Sequence, residues 1–148
     1  MMRPVVATLT VLVSLACPFA APGAEKAIDT RQEIILSAAE RAHVLQGMRT
    51  YLESLQGIVE SLAINKLDGV AESATRAGAK MLQDAPASVP LKAPLAFTAM
   101  SLNTHEKFDI LAERAGKSAS RGEVLTALAE IMGNCTSCHA TFRVGGGQ

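Results

Sequence analysis

The sequence predicts an all-α protein, specifically an antiparallel four-helix bundle. Alanine and leucine are abundant, whereas aromatic residues make up only 3% of the chain, and β-branched alternation is missing beyond the N-terminal apolar run. Apolar residues recur at alternating steps of three and four, as one face of a helix requires. Two capping boxes, Ser37 to Glu40 and Ser120 to Glu123, mark helix starts.

The first two helices follow from this periodicity. The first begins at the Ser37 capping box and places an inward stripe at Leu45, Met48, Leu52, Leu55, Val59 and Leu62. The pattern breaks near Asn65. A second helix then places small and apolar residues on one stripe, namely Leu67, Val70, Ala74, Ala77 and Met81. Such small residues permit a close approach of a neighbouring helix or a cofactor.

The last two helices follow a proline-rich connection. Residues 84–94 contain three prolines and no periodicity, so we expect the longest loop of the domain there. The third helix begins near Pro94 and ends near Gly116, because proline suits a first helical turn. The fourth follows the Ser120 capping box and places Val124, Leu128, Ile131, Cys135, Cys138 and Phe142 on one stripe.

The N-terminus has the pattern of a secretory signal. Arg3 precedes an apolar run from Val5 to Ala16 and then a zone of small residues, so we expect residues 1–24 to be removed. Residues 25–148 then form a single domain in the periplasm, with no membrane attachment after processing. Loss of Arg3 leaves 13 basic and 14 acidic residues, which gives no strong field for nucleic acid.

The segment Cys135-Thr136-Ser137-Cys138-His139 is a C-x-x-C-H haem-attachment motif. In such a motif two thiols form thioethers with the haem and the adjacent imidazole ligates the iron. On a helix all three side chains project from one face, because they lie three and four positions apart. The motif therefore predicts one covalent haem c, bound at the C-terminal helix with His139 as the iron ligand.

Two other interpretations of the cysteine pair are a zinc half-site and a redox dithiol. A structural zinc site needs two further ligands at suitable spacing, and the sequence has no second cysteine pair and no H-x-x-x-H. A thioredoxin-type dithiol follows a strand and precedes a helix, whereas these cysteines are predicted at the end of a helix. Both features favour haem attachment.

A haem motif on the last of four helices, within Cys-Thr-Ser-Cys-His-Ala-Thr-Phe-Arg, resembles the class II c-type cytochromes, which comprise the cytochrome c-prime group and its low-spin relatives. The resemblance implies that His139 is the proximal ligand and that Arg143 lies near a haem propionate. A helix-end arginine interacting with the macrodipole is the alternative for Arg143. The resemblance also suggests a propionate contact for Arg41. In the family the arginine and the distal residue are usually four positions apart, whereas Arg41 and Met48 are seven positions apart.

The sixth iron ligand separates two functional hypotheses. No Met, His or Lys follows His139, so a distal ligand must come from upstream. The upstream candidates are Met48, Met81, Met100, His43 and His105. Met48 lies on the predicted inward stripe of the first helix, where low-spin members of the family carry their methionine ligand. His105 is the alternative ligand, or it donates to a backbone carbonyl.

With Met48 bound, the protein is an electron carrier, because a Met/His pair raises the reduction potential. With no distal ligand, a pocket lined by Leu45 and Met48 admits small gases such as nitric oxide. We predict the carrier, acting with redox partner proteins and without enzyme activity, since no paired carboxylates or nucleophile triad appear. Family members often dimerise through the first two helices, and the alanine-rich second stripe suits a homodimer as well as packing within one subunit.

Overall fold

The computed structural model describes residues 28–146, and the predicted signal peptide, residues 1–24, lies outside them. Helices contain 76% of this part of the chain, which confirms the mostly helical expectation. The strands are β1 (Gln32–Leu36) and β2 (Phe142–Gly146). The helices are α1 (Ala38–Ala63), α2 (Leu67–Arg76), a 3-10 helix (Ala79–Asp84), α3 (Ser88–Lys92), α4 (Leu95–Lys117) and α5 (Arg121–Thr141).

The predicted helix boundaries have visible physical causes. In both capping boxes the serine hydroxyl accepts a hydrogen bond from the N3 backbone N–H, and the glutamate side chain accepts one from the serine N–H. Pro94 caps α4, as its sequence position predicted. Asn65 takes a left-handed conformation with φ 57° just after α1, which a short polar side chain tolerates at a helix end.

Consecutive long helices pack antiparallel. Gly57 and Ser61 of α1 lie against Ser73 and Gly69 of α2 respectively. On the next pair, Gly78 after α2 lies against Asp109 of α4, while Gly116 of α4 lies near Ala71 of α2. On the third pair, Asn134 of α5 donates a hydrogen bond to Asn103 of α4, and Glu130 of α5 forms an ion pair with Lys107 of α4. In each pair the residue numbers change in opposite directions, which defines the antiparallel sense.

The main core lies between these four helices, and its stripe on α1 differs from the predicted one. Leu52 and Val59 were expected to face inward but are 67% and 53% exposed. Tyr51 and Ile58, one position earlier in each case, are buried instead. Helix α1 is therefore rotated relative to the predicted orientation. The cause is Tyr51, because its ring stacks on Phe108 and its hydroxyl forms a hydrogen bond with the buried His105, and both partners lie on α4. The predicted stripe of the fourth segment is confirmed at Val124, Leu128 and Ile131, which are buried. The stripe of the second segment is confirmed at Val70 and Ala74, whereas α2 ends at Arg76 and the predicted Met81 lies half-buried in the 3-10 helix.

A two-stranded parallel sheet departs from the all-α prediction. Strand β1 pairs with β2 in the register Gln32 to Phe142 through Leu36 to Gly146. Alternate burial of Ile34 and Leu36 builds a second small apolar cluster with Phe142. Phe142 is extended rather than helical, so the apolar stripe of α5 continues into a strand. The sheet thereby joins the N-terminal approach to α1 with the end of α5.

The proline-rich connection contains more structure than the sequence predicted. The short helix α3 occupies part of residues 84–94 and is attached to α1 through Glu40. The Glu40 carboxylate accepts hydrogen bonds from Ser88 Oγ and from Lys92 Nζ, the latter at 2.7 Å. These bonds hold the pKa of Glu40 down at about 2. Within residues 28–146, no helix is both long enough and apolar enough to cross a membrane.

Candidate functional site

The haem-attachment motif lies beside a cleft between the C-terminal end of α5, the N-terminal half of α1 and strand β2. We call this cavity, of about 250 Å³, the cysteine cleft. Its lining residues are Arg31, Val44, Leu45, Met48, Phe97, Cys138, His139, Phe142, Arg143 and Val144. Most of the wall is apolar, and the two arginines supply its charged part.

A smaller cavity of about 50 Å³, the inner pocket, lies deeper along α4. Its lining residues are Met48, Tyr51, Phe97, Met100, Ser101, Thr104, Asn134, Cys135, Cys138 and His139. Four residues line both cavities, namely Met48, Phe97, Cys138 and His139. The structure therefore brings both motif cysteines, the motif histidine and Met48 to one pair of adjoining cavities.

The thiols of Cys135 and Cys138 are free and half-buried. Burial raises the pKa of both thiols, and the neighbouring Cys135 raises that of Cys138 further. Both thiols are therefore protonated at neutral pH, and both line the inner pocket, while only Cys138 also lines the cysteine cleft. His139 lies in the last turn of α5 with its side chain exposed, and its backbone oxygen accepts a hydrogen bond from Arg31 Nη1 at 3.3 Å.

Met48 and Leu45, the two predicted distal residues, lie one turn apart on α1 and both line the cysteine cleft. Met48 is half-buried and packs against the main core. It also reaches the inner pocket, which Leu45 does not. Among the other candidate methionines, Met100 lines the inner pocket, whereas Met81 packs against the core and lines neither cavity.

His105, the alternative iron ligand, has both ring nitrogens occupied by protein partners. Its Nδ1 lies 2.8 Å from the Ala77 carbonyl oxygen, which can only accept, so Nδ1 carries the proton. Its Nε2 then accepts from the Tyr51 hydroxyl at 2.7 Å. The side chain is 2% exposed and lines neither cavity. This arrangement matches the predicted alternative of a histidine that donates to a backbone carbonyl.

Arg143 lies on β2 rather than on a helix, and it forms part of a charged group at the edge of the cysteine cleft. Its Nη1 lies 2.7 Å from Glu33 Oε1, and its Nε lies 3.8 Å from Asp29 Oδ2. Arg31 pairs with Asp29 at 2.7 Å, which lowers the pKa of that carboxyl to about 2. Among the described residues, Arg143 Nε is buried and has no hydrogen-bond acceptor.

Arg41 lies outside both cavities. It lines a neighbouring groove of about 600 Å³ between α1 and β2, which we call the arginine groove. Its charged lining residues are Glu33, Arg41, Arg49 and Arg143. The predicted contact of Arg41 with a haem propionate stays a prediction, and Arg31 occupies the cysteine cleft beside Arg143.

Comparison with protein-family models, with curated protein sequences and with solved structures gives no match. Within residues 28–146, no three His, Cys, Asp or Glu side chains lie together as a metal-binding cluster. A c-type haem takes one or two axial ligands from the protein, and the site offers His139 and Met48 for these positions.

Three residues of the site were not singled out from the sequence. Tyr51 is the only tyrosine of the chain and lies three residues after Met48, a spacing that could have placed it on the same face. Phe97 lies in the first turn of α4, and nothing in the local sequence indicates that it lines both cavities. Arg31 carries no local signal, because it reaches His139 through the parallel pairing of segments more than 100 residues apart.

Proposed function

We propose that this protein is a periplasmic c-type cytochrome that carries electrons and resembles the class II group. Residues 25–148 would form an antiparallel four-helix bundle, with residues 1–24 as the export signal. One haem c would be held by thioethers to Cys135 and Cys138, with His139 as proximal ligand and Met48 as distal ligand. The observation that carries this proposal is that Met48, Cys138 and His139 line the same two cavities.

The chemistry of the site suits a haem. Cys138 and His139 line both cavities and Cys135 lines the inner pocket, so the motif lies beside mostly apolar walls at the end of a buried stripe, which is what a largely apolar ring requires. The buried Nε of Arg143 lacks an acceptor among the described residues, and a haem carboxylate at the edge of the cleft would provide one. Arg31 lies in the same cleft and could approach the same carboxylate.

When bound, the haem supplies a one-electron couple. The chain would tune it through its own side chains: His139 and Met48 as a Met/His pair raise the reduction potential. The apolar wall formed by Val44, Phe97 and Phe142 would exclude water from the ring. The positive charges of Arg31 and Arg143 at the edge of the cleft would also act on the haem electrostatically, with Arg31 more screened by solvent because its side chain is exposed.

A second candidate function is supported by Leu45, which lines the cysteine cleft beside Met48. If Met48 does not bind iron, the distal side is an apolar space between these two side chains. Water gains few hydrogen bonds there, so small neutral ligands such as nitric oxide or carbon monoxide would be favoured. The protein would then be a five-coordinate gas-binding protein of the cytochrome c-prime type.

The first experiment is secretion of the full chain from a host with intact cytochrome maturation machinery, followed by mass spectrometry and a visible spectrum. We expect the mass of the processed chain plus one haem, and a far-red sulfur-to-iron band in the ferric protein. The band should disappear in Met48→Ala and persist in Met81→Ala. Met81 is the matched control, because it is a half-buried methionine of the same core that lines neither cavity.

Two results would contradict the proposal at different levels. The bare polypeptide mass in secreted material would exclude a covalent haem altogether. A covalent haem with a high-spin ferric spectrum that Met48→Ala leaves unchanged would reject the carrier and favour the gas-binding protein.

A further inference from the structure

We propose that the arginine groove is the surface on which an acidic face of the electron-transfer partner docks. This inference rests on the proposed electron-carrier function and adds the kind of partner and its location. It also gives Arg41 a role that fits its position, since Arg41 lines this groove and neither of the two cavities that hold the motif.

The groove is positively charged in an otherwise balanced protein. The full chain has 14 basic and 14 acidic residues, whereas the groove is lined by three arginines and one glutamate. Glu33 is paired with Arg143 at 2.7 Å, which leaves the charges of Arg41 and Arg49 uncompensated. Neither of these two arginines forms an ion pair with any residue in 28–146, and both are exposed on α1 two turns apart. Arg49 Nη1 donates a hydrogen bond to the neutral Gln46 Oε1 at 3.0 Å, which leaves the charge of Arg49, like that of Arg41, available to a second molecule.

The groove adjoins the cysteine cleft through a shared wall. Leu45, Arg143 and Val144 line both cavities. A partner seated in the groove would therefore lie next to the cavity proposed to hold the haem. Such closeness is what an electron-transfer surface requires, and a remote patch of charge would lack it.

The shape and composition of the groove favour a protein over an anionic membrane. Guanidinium groups bind carboxylates in a bidentate geometry, so a concave groove lined by arginines suits protruding Asp and Glu side chains. Polybasic segments that bind anionic lipids usually present four to eight Lys or Arg residues, and this groove has three, one of them already paired. Charge complementarity of this kind mainly accelerates association and falls with ionic strength.

The test compares two double variants of the holoprotein that change its net charge equally. The groove variant is Arg41→Glu with Arg49→Glu. The control variant is Lys66→Glu with Arg121→Glu, two exposed residues just beyond the C-terminal ends of α1 and α4, roughly 20 Å from Arg49 along helix α1. Glutamate is favourable at both control positions, because they lie at the N-termini of α2 and α5.

Stopped-flow oxidation of the ferrous protein by hexacyanoferrate(III), a trianion, gives the first measurement. One electron passes from the haem iron to the hexacyanoferrate iron. We expect the wild-type rate to fall with ionic strength, and the groove variant to be about tenfold slower at low ionic strength. The control variant should stay close to wild type. Oxidation by tris(1,10-phenanthroline)cobalt(III), a trication, should become faster in the groove variant. The midpoint potential of each variant is also measured, so that the rates are corrected for differences in driving force.

Binding of poly-L-glutamate, followed by NMR of the ferrous protein, gives the second measurement. We expect shifts at Arg41, Arg49, Gly145 and Gly146 that the groove variant loses and the control variant keeps. Equal rates for the groove and control variants would overturn the inference. Binding to phosphatidylserine vesicles without binding to poly-L-glutamate would also overturn it, in favour of a membrane. Covalent haem is verified first by mass, so a failure of the cytochrome proposal is distinguishable from a failure of this one.

Discussion

The two ends of the helical array are packed differently. At the end where α5 begins, the apolar stripe of that helix is sealed by protein alone, with Val124 and Ile131 fully buried and Leu128 5% exposed. At the end where α5 finishes, the same stripe continues into Cys135 and Cys138, which are only half-buried and line cavities. The stripe is continuous in sequence, whereas its packing changes along the helix.

This contrast divides the core into one half that is packed by side chains and another half that borders the two cavities proposed to hold the haem. The first two of the following predictions test this division by changing one half of the core, and the other two test single polar interactions.

The largest effect is expected from Cys135→Ala combined with Cys138→Ala. If the proposed haem is bound, loss of both thioethers should abolish its covalent attachment completely and leave the two cavities without that group. Amide hydrogen exchange should then accelerate mainly in β1, β2 and the C-terminal part of α5, while amides around Ile58 and Val124 stay protected. Uniform acceleration across all helices would reject the division into two halves.

The next effect is expected from Phe108→Ala in the sealed half. Phe108 is fully buried and stacks on Tyr51 with ring centroids 5.7 Å apart. Removing such a side chain usually lowers the free energy of unfolding by about 3–5 kcal/mol. Urea titration of the variant measures this loss. Phe97→Ala serves as the comparison, because Phe97 is half-buried beside the cavities and should cost less while changing the haem spectrum.

A smaller effect is expected from Tyr51→Phe at the boundary between the halves. The change keeps the ring stack and leaves His105 Nε2 buried without its donor, which should cost about 1–3 kcal/mol of unfolding free energy. Ser54→Ala is the matched control one turn away, because the Ser54 hydroxyl is buried and has no hydrogen-bond partner among residues 28–146. A comparable loss in both variants would mean that the Tyr51 bond to His105 is not the cause.

The smallest effect is a pH dependence from Glu40. The pKa of Glu40 is lowered from 4.5 to about 2 by Lys92, Ser88 and Ser37, so its contribution to stability is complete above about pH 4.5. That contribution should disappear as the pH falls through about 2, because the protonated carboxyl no longer attracts Lys92. Glu40→Gln keeps a capping acceptor and removes the charge. Thermal unfolding should show the variant as less stable at pH 7, with the difference shrinking towards pH 2; a constant difference would contradict this.

The sequence determined the elements whose signals are local. Capping boxes at Ser37 and Ser120 specify helix starts through hydrogen bonds within one turn. The spacing of the C-x-x-C-H motif places its two cysteines and its histidine on one face of a helix. For the same reason the stripe of α5, which repeats at steps of three and four, could be assigned correctly. Met48 could be proposed as a site residue because it shares a helix face with other apolar side chains.

Only the tertiary structure decided the features that depend on distant partners. The choice between Leu52 and Tyr51 as the inward residue depended on His105 and Phe108, which lie on another helix. The β1–β2 pairing joins segments about 110 residues apart, so no local pattern could reveal it or bring Arg31 to His139. Local hydrogen bonds and periodicity are encoded in neighbouring residues, whereas the partner of a buried polar group or of a strand edge is selected by the fold as a whole.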